Sequence, residues 1–225
     1  MDMESSKISF TKVDRPLSQA KAYYTRLSRI YDWLAASEKQ FIRQGLDTLD
    51  PRPGERILEI GFGTGYAQKR IIREVADGLS AGLDLSEGMS RISKINLARA
   101  GFEQHLALLI SDTLPIPFQS NIFDGIFSSF TLELFDSPQI PEVLEECRRV
   151  LRPGGRLVIV SLSKDAPLPL MGRIYEKLHN RFPHLLDCRP IPVLQIIKEA
   201  GFRIHHSIQT RMWGLPVMIV EATRG

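Results

Sequence analysis

The stretch ILEIGFGTGY, residues 57–66, decides how this chain is read. Ile57, Leu58 and Ile60 describe a short buried strand, which breaks into Gly61, Gly63 and Gly65. Glycines so spaced give a main chain free of Cβ atoms that takes positive φ and lets a ligand come close. A pyridine dinucleotide, a nucleoside triphosphate and S-adenosylmethionine all sit over turns of this kind. The dinucleotide pattern G-x-G-x-x-G needs its third glycine where this chain has Tyr66, and the triphosphate loop needs a lysine that is absent. What stands is E-x-G-x-G-x-G, with Glu59 two residues ahead of the first glycine.

Outward from this turn, strands and helices alternate. Strands are predicted at residues 56–60, 79–84, 105–111, 123–130 and 156–162, and helices at 67–75, 87–100 and 140–151. DGIFSSF and RLVIVSL are apolar on both faces, as a parallel sheet between two helix layers requires. A helix near 193–200 leads to strands near 203–209 and 212–221, joined at about Thr210 and Arg211. So short a link cannot cross over, which makes this pair antiparallel. Upstream, apolar residues at helical spacing predict one helix over 17–34 and a second over 38–49, stopped by the two prolines of DPRPGE. Residues 1–16 read as a flexible arm and 17–50 as an N-terminal helical cap. Residues 51–225 read as the α/β domain, with 163–192 as an insert after the fifth strand.

Carboxylates follow the turn at telling places. Asp84 ends the second strand, where a group that only accepts hydrogen bonds can take both hydroxyls of a ribose. The third strand ends in SDTLPIPF, which places Asp112, followed by Thr113, to accept from the exocyclic amine of an adenine; a strand cap is the other role open to Asp112. NIFDGIFSSFTLELF is a strand that opens into a mouth, with Ser129 at its end and Glu133 just beyond. RRVLRPGGRLVIV is a helix stopped by Pro153 and two glycines and followed at once by the fifth strand.

ILEIGFGTG, GLDLS, SDTLPIPF, FDGIFSSFTLE and LRPGG, in that order, resemble the class I S-adenosylmethionine-dependent methyltransferases from about residue 20 to the chain's end. The resemblance implies an α/β fold with a doubly wound seven-stranded sheet, mostly parallel, whose last strand is antiparallel. It implies S-adenosyl-L-methionine as cofactor, S-adenosyl-L-homocysteine as product, and no metal. In the cofactor site it places Gly61, Gly63 and Gly65 under the methionine part, Asp84 on the ribose, and Asp112 with Thr113 on the adenine. Leu85 and Met89 would flank the adenine ring, with a core role as the alternative for each, and Glu59 and Ser129 belong to the same site. Within the class the chain looks most like the ubiquinone/menaquinone-biosynthesis C-methyltransferases, through YTRLSRIYDWL and RRVLRPGGRLVIVSLS. It departs from them in YDWLAASEKQF, where they follow Tyr-Asp with Met-Asn and later a His and a Trp, and at Ser161, where they carry glutamate.

Methyl transfer from a sulfonium is an in-line displacement that needs alignment and exclusion of water. A base helps only where the acceptor loses a proton. Glu133 is the first candidate for it, because ligands of open α/β sheets collect beyond the strands' C-terminal ends; a surface carboxylate is the plainer alternative. Tyr31, in the matching Tyr-Asp, and Tyr24 are the aromatic candidates for closing over the cofactor. In the insert, Leu170, Ile174, Leu178 and Phe182 recur every four residues and form an apolar face. That face can be a lid, a dock on a lipid surface or simple core cover. His179 and His184 are further candidates for a base, with a surface role as the alternative, and Trp213 is a candidate to border the acceptor, with core packing as its alternative. The expected acceptor is a small apolar or amphipathic molecule, quinone-like or lipid-like. A methyltransferase for a polar metabolite and a non-catalytic protein that binds the cofactor are the alternatives.

A net charge of +3, without a Lys/Arg run, argues against nucleic acid as a partner. Two cysteines, Cys147 and Cys188, far apart, point to a reducing cytoplasm. No run of about 18 apolar residues appears, so any membrane contact is peripheral. His205 and His206 are adjacent, and neighbours in a strand face opposite ways and do not chelate one ion. Oligomeric state leaves no mark on the sequence.

Overall fold

The computed structural model describes residues 28–102, 106–110, 114–165 and 189–225. Helix α1 (Ser28–Leu49) leads into β1 (Arg56–Ile60), α2 (Tyr66–Val75), β2 (Leu79–Asp84), α3 (Glu87–Ala98) and β3 (Leu106–Ile110). After it come β4 (Phe123–Ser129), a 3-10 turn (Leu132–Leu134), α4 (Gln139–Val150), β5 (Leu151–Leu162), α5 (Val193–Glu199), β6 (Phe202–Met212) and β7 (Leu215–Arg224). The arm over residues 1–16, residues 17–27 of the predicted first helix with Tyr24, and the insert's apolar face with His179 and His184 lie outside the described residues.

The strands form one sheet in the order β3-β2-β1-β4-β5-β7-β6. Neighbours from β3 to β5 pair in parallel, and β7 runs antiparallel to both β5 and β6. From β1 the chain winds outward to β2 and β3, then returns to β4 on the other side of β1. The order therefore reverses between β1 and β4, and a crevice opens above their C-terminal ends.

Alternation along the strands divides the core into two layers. Leu58, Ile60, Ile126, Leu157, Ile159 and Val220 pack against α4 and α5, among Val143, Leu144 and Ile197. Ile57, Phe127, Val158, Val160, Val217 and Ile219 pack on the other side, against Phe41, Leu46 and Leu49 of α1 and Ile71 and Val75 of α2. Both faces are thus buried, which is why these strands read as nearly continuous apolar runs. Arg156 fastens α1 to the sheet: its guanidinium donates to the Leu49 carbonyl (3.0 Å) and to Glu55 Oε2 (2.6 Å).

The course of α1 positions the site. Its C-terminal Leu49 lies by Gly125, near the start of β4, while Gly45 lies over Val160 and Phe127 in mid-sheet. Phe41 meets the Phe130 ring edge-on beyond β4, with centroids 6.3 Å apart. The helix therefore runs antiparallel to β4 and β5, and its earlier turns reach the strands' C-terminal rim.

Two expectations are corrected. The helices predicted over 17–34 and 38–49 are not separate where the structure describes them: α1 continues through residues 35–37. Ala35 and Ala36 favour helix, and nothing between them and Glu38 interrupts its hydrogen bonds. The hairpin turns at Trp213 (φ 51) and Gly214 (φ 83) rather than at Thr210 and Arg211, so β6 runs on to Met212. A two-residue hairpin loop of this hand asks for positive φ at both central positions, and only the later pair includes a glycine. β5 begins at Leu151, with a register shift against β4 that carries Pro153 and the two glycines.

A Cβ on Gly45 would fall 2.5 Å from Val160 Cγ2. Gly45→Val should therefore lower the free energy of unfolding by about 1–3 kcal/mol through overpacking. That outweighs a gain of about 0.5 kcal/mol in helix propensity. Denaturant titration checks it; an unchanged midpoint would show that α1 does not press on the sheet as described.

Candidate active site

Two loops meet at the crevice. The glycine turn leaves β1 with Gly61 (φ 77), Gly63 (φ 48) and Gly65 (φ 81), all left-handed. It is tied down by Gly61 N–H donating to the Leu83 carbonyl and Gly65 N–H to the Phe62 carbonyl, both at 2.8 Å. The second loop leaves β4 through Phe130, whose φ of 48 is costly for a residue with a side chain. Phe130 is nevertheless held by its N–H on the Val160 carbonyl (2.8 Å) and by its buried ring. The forced bend brings Thr131 against Gly61, where a Cβ would lie only 2.0 Å from Thr131 Oγ1. The Thr131 hydroxyl is spent on the Ser129 carbonyl (2.9 Å).

Gly63 differs from its neighbours in what surrounds it. A Cβ built there meets nothing within 4 Å, so the middle of the turn presents bare main chain to open space. Asp84 lies beside it. One carboxylate oxygen accepts from Gly63 N–H and the other from Ser86 N–H, each at 2.8 Å, so a single side chain spans the turn and the start of α3. Burial pushes its pKa up against these two hydrogen bonds. Each oxygen keeps a lone pair for a hydroxyl. Leu85 beyond it is exposed and Met89 half-buried, leaving an apolar ledge next to the carboxylate. Ser86 caps α3 by accepting from Met89 N–H (3.2 Å).

Glu59 lies beneath this surface, 2% exposed. Close by, the Ser80 hydroxyl donates to Gln68 Oε1 (2.5 Å) and Gln68 Nε2 donates to the Ala81 carbonyl (2.9 Å). Oε2 of Glu59 is buried and has no hydrogen-bond partner in the structure. Burial raises its pKa to about 8; Gln68 opposes the rise and the Asp84 charge adds to it.

Glu133, on the 3-10 turn after β4, is not a surface carboxylate: it is 1% exposed. Ser161 Oγ donates to one oxygen at 2.8 Å and Leu162 N–H to the other at 3.2 Å. Burial lifts its pKa to about 7, against these hydrogen bonds. Ser129 ends β4, half-buried at the crevice. Gly61, Gly63, Gly65, Asp84, Leu85, Met89, Ser129 and Glu133 thus belong to the C-terminal end of the sheet, with Glu59 below the turn. Tyr31 belongs to the early turns of α1, and its side chain lies outside the described residues, as do Asp112 and Thr113. Trp213 is at the hairpin tip, 40% exposed. His205 Nε2 is 2.7 Å from Thr223 Oγ1. No cluster of three or more metal-ligating side chains occurs among the described residues. Their helices include none long and apolar enough to cross a membrane.

A methyltransferase-domain family model matches residues 57–155, from the start of the glycine strand to the double glycine before β5. The chain is 30% identical over 176 residues to the ubiquinone/menaquinone biosynthesis C-methyltransferase UbiE of a Ruegeria species, covering 70% of each chain. The chain belongs to the class I S-adenosylmethionine-dependent methyltransferases. Within that class it resembles the UbiE proteins: that of Roseobacter denitrificans is 34% identical over 131 residues, which are 58% of this chain and about half (51%) of the relative. A solved S-adenosylmethionine-dependent methyltransferase from Aquifex aeolicus shares the fold, with a TM-score of 0.62 at 22% identity over 82% of this chain and 89% of that one. The residues present fit the family's cofactor. The bare Gly63 face takes a close ligand, Asp84 keeps acceptor capacity, and the unpartnered oxygen of Glu59 suits a positively charged group.

Glu38 is the member of this neighbourhood that sequence reasoning missed. It looked like the first residue of a second helix, and only the unbroken course of α1 carries it to the rim.

Glu59, Glu133 and Glu38 bind protons more tightly folded than unfolded, so they stabilise the fold at low pH and lose that contribution as pH climbs through their raised pKa values. The ligand-free protein should therefore lose thermal stability from about pH 5 to pH 8. Glu59→Gln should flatten part of that decline and raise the melting temperature at pH 8, as read by scanning calorimetry. A slope unchanged by the substitution would show that Glu59 is not buried as a neutral acid.

Proposed function

We propose that this methyltransferase moves a methyl group from S-adenosyl-L-methionine to a small apolar or amphipathic acceptor, quinone-like or lipid-like, in the cytoplasm. The observation that carries the cofactor part is the open face of Gly63 between the Asp84 carboxylate and buried Glu59. In this reading the Gly61, Gly63 and Gly65 main chain supports the methionine part and Glu59 holds its ammonium. Asp84 takes the ribose hydroxyls, Leu85 and Met89 pack on the adenine, and Asp112 with Thr113 accepts its amine. Ser129 lines the crevice wall on the β4 side. The bound cofactor supplies an electrophilic methyl on sulfonium. The protein's share is to hold an acceptor in line with that methyl and keep water away.

The acceptor class is supported by the likeness to UbiE and by the apolar character of the insert. The N-terminal helical segment with Tyr31 is proposed to close over the crevice. No metal is needed for the transfer.

Calorimetric titration should show binding of S-adenosylmethionine and none of NADH. Gly63→Val, which fills the open face at a left-handed position, should weaken that binding by about tenfold or more, with little change in circular dichroism. With methyl-labelled donor and cell extracts, label should enter lipid-soluble products. Label confined to water-soluble products would overturn the acceptor class, and NADH binding alone would overturn the cofactor.

A further inference from the structure

Glu38 stands three residues before Phe41 and seven before Gly45, a spacing that shares one helix face. Gly45 is over mid-sheet and Phe41 reaches Phe130 beyond β4. One turn farther up, that stripe brings Glu38 to the rim of the crevice. Its neighbours agree with this place. Ser37 Oγ donates to Met212 Sδ (3.7 Å) at the far end of β6, and the Lys39 ammonium lies 5.5 Å from the centre of the Tyr66 ring that follows the glycine turn. Glu38 is half-buried, and the charge it feels is that of Glu133.

The two carboxyls are not equivalent. Glu133 is enclosed, with both oxygens taken by Ser161 and the Leu162 amide. Glu38 keeps access to the crevice and to solvent. Resting on the methyltransferase reading above, we propose that Glu38 is the group that takes the proton from the methyl acceptor, with Glu133 as its fixed partner.

The acceptor's nucleophilic carbon or oxygen forms a bond to the methyl carbon, and the methyl–sulfur bond breaks with its electron pair left on sulfur. The proton lost from that carbon or oxygen passes to a Glu38 carboxylate oxygen and from there to water. An ordinary exposed glutamate is a feeble base for this task. Burial, and then the Glu133 charge, raise Glu38 to about 7, close to neutral working conditions. Among the described residues around α1, Lys39 lies over Tyr66, Arg70 of α2 is paired with Asp47 and Glu74, and Arg156 of β5 is paired with Glu55 at the opposite end. The arrangement narrows the acceptor to one that must shed a proton, such as a phenol, an enol or an activated ring carbon. A tertiary amine or a thioether has no use for it.

Two readouts test this. In protein labelled with carboxyl-13C glutamate, Glu38, assigned by Glu38→Gln, should titrate near neutral pH, and Glu133→Gln should move its midpoint down. A midpoint in the ordinary glutamate range, or one indifferent to Glu133→Gln, overturns the proposal whether or not an acceptor is known. With a short-chain prenylated naphthoquinol and labelled methyl donor, Glu38→Gln should lower kcat by about 10²-fold or more and abolish the acid limb of the rate profile. The KM for the donor should stay within about twofold, and Glu38→Asp should restore part of the rate. If Glu38→Gln keeps its kcat and its acid limb, Glu38 is not the base. If the wild-type protein methylates neither the quinol nor any extract, the proposed function fails, and the carboxyl titration alone decides on the pair.

Discussion

The contact between Gly61 and Thr131 is the constraint on which the site depends. Strand order reverses between β1 and β4, so the loops that leave these neighbours diverge and would leave a loose gap. They meet because one loop has no side chain at the point of approach and the other accepts a left-handed Phe130 to make its bend. That strain is held by a main-chain hydrogen bond to β5 and by an aromatic ring sealed under α1. The floor of the crevice is therefore rigid, and both Gly63 and Glu133 are positioned from it. A looser floor would let the turn collapse onto its own open face.

On this floor stand acids in two circumstances. Asp84 is a structural brace as well as the proposed ribose acceptor: its two oxygens already bind the turn and the next helix. A ligand there meets acceptors that need no rearrangement, the preorganisation that binding rewards. Glu59, Glu133 and Glu38 instead sit where burial disfavours charge, and all three hold protons more tightly than in water. Uncharged acids in a ligand-free site cost the fold little, and a positive group arriving beside one favours its anion.

Much of this was legible in the residues. The glycine turn, the strands about it and the acid ending β2 announce themselves by type and spacing, because φ, close approach and period-two alternation are local demands. The antiparallel pairing of β6 and β7 was legible from the brevity of their link. The turn itself was misplaced by a few residues, since Trp213 at positive φ is a conformation its side chain does not advertise. The continuity of α1 was missed because polar Ser37–Glu38 after two alanines looks like a new helix start. The two alanines favour helix and nothing there breaks it, while packing of the later turns on β4, β5 and β7 holds the helix in place. The burial of Glu133 was equally hidden: a glutamate four residues past the end of β4 reads as surface unless one knows that Ser161, 28 positions away, comes to meet it.

The depth of each acid fits the motion its proton must make. Glu59 lies under the glycine turn without solvent access, so in the proposed reading the ammonium of a bound cofactor and a proton compete for the same oxygens. Affinity for the cation then rises with pH as the carboxyl ionises, by linkage. A base for the acceptor has the opposite requirement, since it must give each proton back to water before the next turnover. Glu133, closed in by Ser161 and the Leu162 amide, cannot do that unaided, whereas Glu38 at the rim can. Burial, and then the like charge of the deeper acid, keep Glu38 basic, and its partial exposure keeps it exchangeable. That division of labour requires α1 to be one unbroken helix, because a break at residues 35–37 would free Glu38 from the face that holds it over the crevice.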